Sequence, residues 1–95
     1  MKNAMKNAID LTGRRILLTG AAGGIGAATA RACAALGVGE LVLADLGDMD
    51  DIVTELRDQN VAVTAHQCDL SQRRDNAELI AAAGPLDAAV ACAGI

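Results

Sequence analysis

From Arg14 onward the chain alternates short apolar runs with longer stretches of helical character. The run RRILLTG predicts a buried strand over about 15–19, since its apolar residues follow one another without polar alternation. GIGAATARACAALG predicts a helix over about 25–36, ended by Gly37 and small or apolar on nearly every face. ELVLAD predicts a second strand at about 40–45 that ends on a single acid. Asp48 is the expected N-cap of a helix over about 49–59, with Asp50 and Asp51 in the first turn and Ile52, Val53 and Leu56 on one face. VAVTAH predicts a third strand at about 61–66. Ser71 is the expected cap of a helix over about 72–83, Gly84-Pro85 stops it, and DAAVACA is the fourth strand. Strands separated by helices in this way imply an α/β fold whose parallel sheet is built from right-handed crossovers. No linker or shift of composition marks a second domain.

Composition sharpens this picture. A chain of 95 residues makes one small domain that buries about 60–65% of its unfolded surface. It is 53% apolar but has no Phe, Tyr or Trp, so packing has to come from close backbone approach more than from large side chains. Residues 1–13 read as a flexible leader: MKNA occurs twice, too short an echo for a repeat architecture, and Met5 is a second possible start. The leader has lysines but no apolar core, and no run is long and apolar enough to span a bilayer, so neither a signal peptide nor a membrane span is expected.

The net charge is -4, and the basic residues are scattered apart from Arg14-Arg15 and Arg73-Arg74. With no basic stripe and no aromatics to stack on bases, a nucleic-acid partner is not expected. Cys33, Cys68 and Cys92 are odd in number and widely spaced, which fits neither a disulfide framework nor a zinc site and suits a reducing cytoplasm. His66 is the single histidine, and without clustered acids it assembles neither a metal site nor a Ser-His-Asp arrangement.

The most informative stretch is LLTGAAGGIGAA, which sets glycines where the first strand ends and the first helix begins. Gly20 allows the tight turn out of the strand, Gly24 lets a ligand approach the backbone, and Gly26 lets the helix lie close on the sheet. The helix N-terminus then offers free N–H groups and partial positive charge, for which a pyrophosphate is the natural ligand. No Lys-Ser/Thr follows, which excludes a P-loop.

TGAAGGIG, Thr19 to Gly26, resembles the T-G-x-x-x-G-I-G cofactor loop of the short-chain dehydrogenase/reductase family. DLTGRRILLTG resembles that family's entry strand, CDLS the segment after its third strand, and GPLDAAVACAG its approach to the fourth. The resemblance implies a partial Rossmann fold over residues 14–95, a parallel sheet of four strands in the order 3-2-1-4, and a nicotinamide dinucleotide cofactor. It also implies hydride transfer between that cofactor and an alcohol or carbonyl substrate.

Asp45 lies about 20 residues past the loop at the end of the second strand, the offset of the acid that accepts both adenosine ribose hydroxyls and repels a 2′-phosphate. Ala21, Ala22 and Leu46 supply no cation for that phosphate, so NAD is expected in preference to NADP. Asp45 could also simply end the strand in a turn. By resemblance the cofactor-binding set is Thr19, Gly20, Gly24, Ile25, Gly26, Asp45, Leu46, Asp69, Leu70, Ala93 and Gly94. In that set Asp69 accepts from the adenine amine and Leu70 lines the pocket through its backbone, although Asp69 could equally staple the Ser71 turn. The family's N-N-A-G reads Ala91-Cys92-Ala93-Gly94, so the close backbone passage is kept and both amide side chains are missing. Cys92, with no cation beside it, reads as a small buried hydrophobe.

The family's chemistry uses a Ser and a Tyr-x-x-x-Lys pair. The sequence contains no tyrosine, its lysines are Lys2 and Lys6, and its serine is Ser71. No catalytic residue is therefore assigned. The expected identity is the NAD-binding N-terminal portion of a short-chain dehydrogenase/reductase, cut after the fourth strand and inactive alone. The alternative is a freestanding nucleotide-binding module that self-associates through an exposed sheet edge.

Overall fold

The computed structural model describes residues 10–92. The first nine leader positions, and Ala93 and Gly94 of the expected cofactor set, lie outside the described residues. Strand β1 is Arg15–Thr19, helix α1 Gly24–Ala35, β2 Glu40–Asp45, α2 Asp50–Asp58, β3 Ala62–Gln67, α3 Arg73–Ala83 and β4 Ala88–Ala91. All strand pairs are parallel and the sheet order is β3-β2-β1-β4, as expected.

Uninterrupted apolar runs in β1 and β2 belong to strands covered on both faces. Ile16, Leu18, Leu41, Leu43 and Val63 meet Ala30 and Cys33 of α1 and Ile52, Val53 and Leu56 of α2. Leu17, Val42 and Ala44 meet Leu79 and Ala83 of α3 on the other face. The chain thus changes side after β3, and the order reverses at the β1–β4 seam, where doubly wound sheets place their ligand crevice.

Leu11 and Thr12, within the expected leader, are tied to the domain: Leu11 N–H donates to the Leu36 carbonyl and Thr12 bridges Val38. Both expected caps are shifted. Met49, not Asp48, holds the N-cap position of α2, and the Asp48 carboxylate accepts the Asp50 N–H one residue earlier than a cap would. Gln72, not Ser71, precedes α3, because the Asp69 carboxylate captures both the Ser71 hydroxyl (2.6 Å) and the Ser71 N–H (3.0 Å).

Helices α1 and α2 end in matching ways. Gly37, at φ +81°, donates to the Ala34 carbonyl while Val38 donates to that of Cys33; Asn60, at φ +63°, and Val61 repeat the pattern on Arg57 and Leu56. A two-point ion pair, Arg31 Nε and Nη2 to the Glu55 oxygens, joins the two helices.

Candidate cofactor-binding site

Seven of the expected site residues, Thr19, Gly20, Gly24, Ile25, Gly26, Asp45 and Leu46, lie where β1 and β2 deliver their carboxyl ends. Thr19 closes β1 between Ala44 and Ala91, and its carbonyl accepts the Cys92 N–H. Gly20 follows at φ +73°, a turn a side chain would strain. Gly26 sits so close beneath it that a Cβ would stand 1.9 Å from the Gly20 carbonyl oxygen. A Cβ on Gly24 would meet nothing within 4 Å, so this position faces open space. Gly20 thus makes the turn and Gly26 the close packing, and Gly24 lies open.

The loop's own N–H groups are consumed up to the helix. Gly20 and Ala21 N–H donate to the Ala44 carbonyl (2.8 and 3.4 Å), Ala22 N–H to Asp45 Oδ2 (2.9 Å) and Gly23 N–H to the Gly20 carbonyl (3.2 Å). At Gly24 the helix begins with no side-chain cap and no acid in its first turn. No side chain therefore meets its leading N–H groups or offsets the positive end of its dipole.

Asp45 stands half-buried beside this turn, its Oδ1 accepting the Gly47 N–H at 2.7 Å. Each carboxylate oxygen thus takes one backbone donor and keeps a second lone pair. Ile25 and Leu46, 61% and 66% exposed, flank the loop and the acid as apolar surface open to contact. Ala22 and Gly47 were not legible as site residues. Asp-x-Gly is a recognisable turn signal for Gly47, whereas an alanine N–H leaves no mark in a sequence.

Asp69 and Leu70 follow β3 on the same rim. The Cys68 N–H ties this segment to the Asp45 carbonyl at 2.9 Å. Asp69 is engaged with its own turn, and the Ser71 hydroxyl and N–H hold its carboxyl below the ordinary range. Its N–H donates to Asp75 Oδ2, and Leu70 packs partly buried against the α3-side core while its carbonyl accepts from Asn76.

His66 lies apart from the loop, in an open cavity of about 470 Å³ between β3 and α3 that Cys68, Asp75, Glu78 and Leu79 also line. No three ligating side chains gather at one point among the described residues. No helix among them is long and apolar enough to cross a membrane.

A family model described as short chain dehydrogenase matches residues 14–95. A probable oxidoreductase from Streptomyces antibioticus is 45% identical over 93 residues, covering 92% of this chain and 30% of that protein. Hydroxysteroid dehydrogenase from Escherichia coli superposes with a TM-score of 0.83 at 26% identity, over 95% of this chain and 40% of its own. A short chain dehydrogenase from Mycobacterium paratuberculosis bound to NAD gives a TM-score of 0.74 at 28% identity, over 90% and 38%. The chain spans 30% of the curated relative's length and 40% of the first structural neighbour's. Sheet order, glycine turn and a family match running from Arg14 to Ile95 agree: the chain belongs to the short chain dehydrogenase family.

Proposed function

We propose that this chain is the NAD-binding portion of an oxidoreductase that moves hydride between a nicotinamide dinucleotide and an alcohol or carbonyl substrate. The observation that carries the reading is the junction of an uncapped helix start with a strand-end carboxylate, joined through the Ala22 N–H. Gly24, Ile25 and Gly26 would hold the pyrophosphate on their N–H groups, and Asp45 would accept the adenosine ribose hydroxyls with its remaining lone pairs. Leu46, Leu70 and Asp69 would border the adenine, Asp69 giving up part of its hold on Ser71. Thr19 and Gly20 shape the turn, and Ala93 with Gly94 would pass the backbone close beside the cofactor.

A bound nicotinamide ring supplies the hydride acceptor or donor. This chain's residues bind and orient the cofactor. The 95 residues hold no tyrosine and the Ser71 hydroxyl donates to Asp69, which supports leaving the family's Tyr and Ser roles unassigned in this chain. The chain alone is accordingly inactive in this reading. NAD is preferred over NADP because a 2′-phosphate would meet the Asp45 carboxylate. The three unpaired thiols support a reducing, cytoplasmic setting.

A titration of the isotope-labelled chain with NAD tests the reading. The amide signals of Gly24, Ile25 and Gly26 should shift together with those of Ala22 and Gly47, and unmoved signals at saturating NAD would reject it. A second reading, a self-associating nucleotide-binding module, draws on β4, whose Ala88, Ala89 and Ala91 are exposed beside only one neighbouring strand among the described residues. Sedimentation tests the edge argument, since a monomer at every concentration would count against the module.

A further inference from the structure

Three successive loop N–H groups are held by two successive residues of β2. The Ala44 carbonyl accepts from Gly20 and Ala21, and the Asp45 side chain accepts from Ala22, 23 residues away in sequence. The first two bonds are made by main chain to main chain. The third depends on one removable carboxylate. Its other oxygen draws in the Gly47 N–H, bringing the β2–α2 turn so close that a Cβ on Gly47 would lie 3.4 Å from Asp45 Oδ1 and 3.7 Å from the Ala22 Cβ. Ala22 immediately precedes Gly23, the N-cap position of α1, which has no side-chain cap.

We infer that Asp45 is a positioning residue for the glycine loop: by taking the Ala22 and Gly47 N–H groups at once, its carboxylate latches the loop in ligand-ready form before any ribose arrives. Such a charge-assisted pair of bonds restrains the loop more than two neutral ones. The latch deepens the dinucleotide reading and, for its binding arm, rests on it. The two roles of the carboxylate are separable because a latch acts in the absence of ligand and extends to a ligand without a ribose.

The test uses the 95-residue chain, with Asp45→Ala and Asp45→Asn, in two measurements. In the ligand-free proteins, amide hydrogen exchange at Ala22 should quicken about tenfold or more in Asp45→Ala, the loss of a bond to a charged acceptor, while Leu17 and Leu18 exchange as before. Asp45→Asn preserves the volume and keeps one acceptor oxygen, so it should quicken one of Ala22 and Gly47 and spare the other. Inorganic pyrophosphate should bind severalfold more weakly to Asp45→Ala. A purely electrostatic role predicts tighter binding, since removing a nearby anion favours a second anion, and a ribose-only role predicts no change. Unchanged exchange at Ala22, or pyrophosphate binding that is unchanged or tighter in Asp45→Ala, overturns the latch. If the parent chain binds neither NAD nor pyrophosphate, the dinucleotide reading fails and the exchange at Ala22 alone decides.

Discussion

Gly26, in the first turn of α1, lies against the carbonyl of Gly20, where a Cβ would stand 1.9 Å from the oxygen, 2.6 Å from the carbonyl carbon and 2.9 Å from the Ala21 Cα. All three obstacles are backbone, and that backbone is pinned by the Ala44 carbonyl, so the contact has no cheap relief. Gly26→Ala should therefore cost about 3 kcal/mol or more, a severe loss for a small domain. A urea midpoint measured on both proteins checks this; a change below about 1 kcal/mol would show that α1 can lift from the sheet freely.

Gly24 makes the contrasting case. A Cβ there meets nothing, and alanine is the better helix former, so Gly24→Ala should leave stability within about 1 kcal/mol and could raise it. If the open space exists for a ligand, the same variant should bind NAD about tenfold more weakly, the loss of roughly one good contact. Calorimetric titration beside the urea midpoint reads both effects, and unchanged affinity would remove Gly24 from the site.

In the proposed dinucleotide reading, cofactor choice would turn on Asp45 with Leu46 after it. The parent should bind NAD at least about tenfold more tightly than NADP, because a doubly charged phosphate would approach a carboxylate at short range. Asp45→Ser should narrow that ratio by weakening NAD and relieving NADP. Paired titrations decide it, and equal affinities in the parent would reject the assignment of ribose recognition to Asp45.

How much of this was legible in the sequence differs by element. β1 and β2 fall where their apolar runs place them, since a strand buried on both faces carries its own boundary in composition. The helix starts shifted because Asp48 and Ser71 belong to polar clusters in which several donors and acceptors compete, and Asp69, as an anion, outbids a neutral cap position for Ser71. The left-handed Asn60 that ends α2 follows the known preference of helix ends and was open to being read. In the site, glycine spacing carried the turn and the close packing. The bond from Ala22 to Asp45 was not readable, because it depends on the path of two loops meeting at the sheet edge.

Acid should loosen the sheet at its opposite end. The Arg15 guanidinium, mainly through the 2.7 Å bond from Nε, holds the Glu40 carboxyl below its ordinary value of 4.5, and Thr64 adds a weaker bond. A carboxyl depressed in the folded state contributes stability that is complete above the ordinary value and disappears as pH falls through the depressed one. Glu40→Gln should accordingly lower stability near neutral pH by about 0.5–1 kcal/mol, the range for a partly exposed pair, and make little difference at about pH 2. Glu55 and Asp69, held down by Arg31 and Ser71, keep part of the acid transition in the variant. Urea midpoints across pH check the sign, and an equal loss at both ends of the range would show that Glu40 acts by packing instead.

Cys33 gives a probe of opening that the missing aromatics cannot. It lies buried on the inner side of α1, and burial, with a smaller contribution from Cys92, raises its thiol above the ordinary range. Alkylation needs an exposed thiolate, so at mildly alkaline pH Cys33 should react only when α1 separates from the sheet. Cys68 is also raised, by burial and then by Asp75, Asp69 and Asp45, but it is only partly buried and needs no such opening. Peptide mass spectrometry after timed alkylation should find Cys33 the slower of the two, by a factor that shrinks with added urea and shrinks further in Gly26→Ala. If Cys33 labels as fast as Cys68 in the native protein, α1 is not the closed cover over β1 and β2 that the core packing describes.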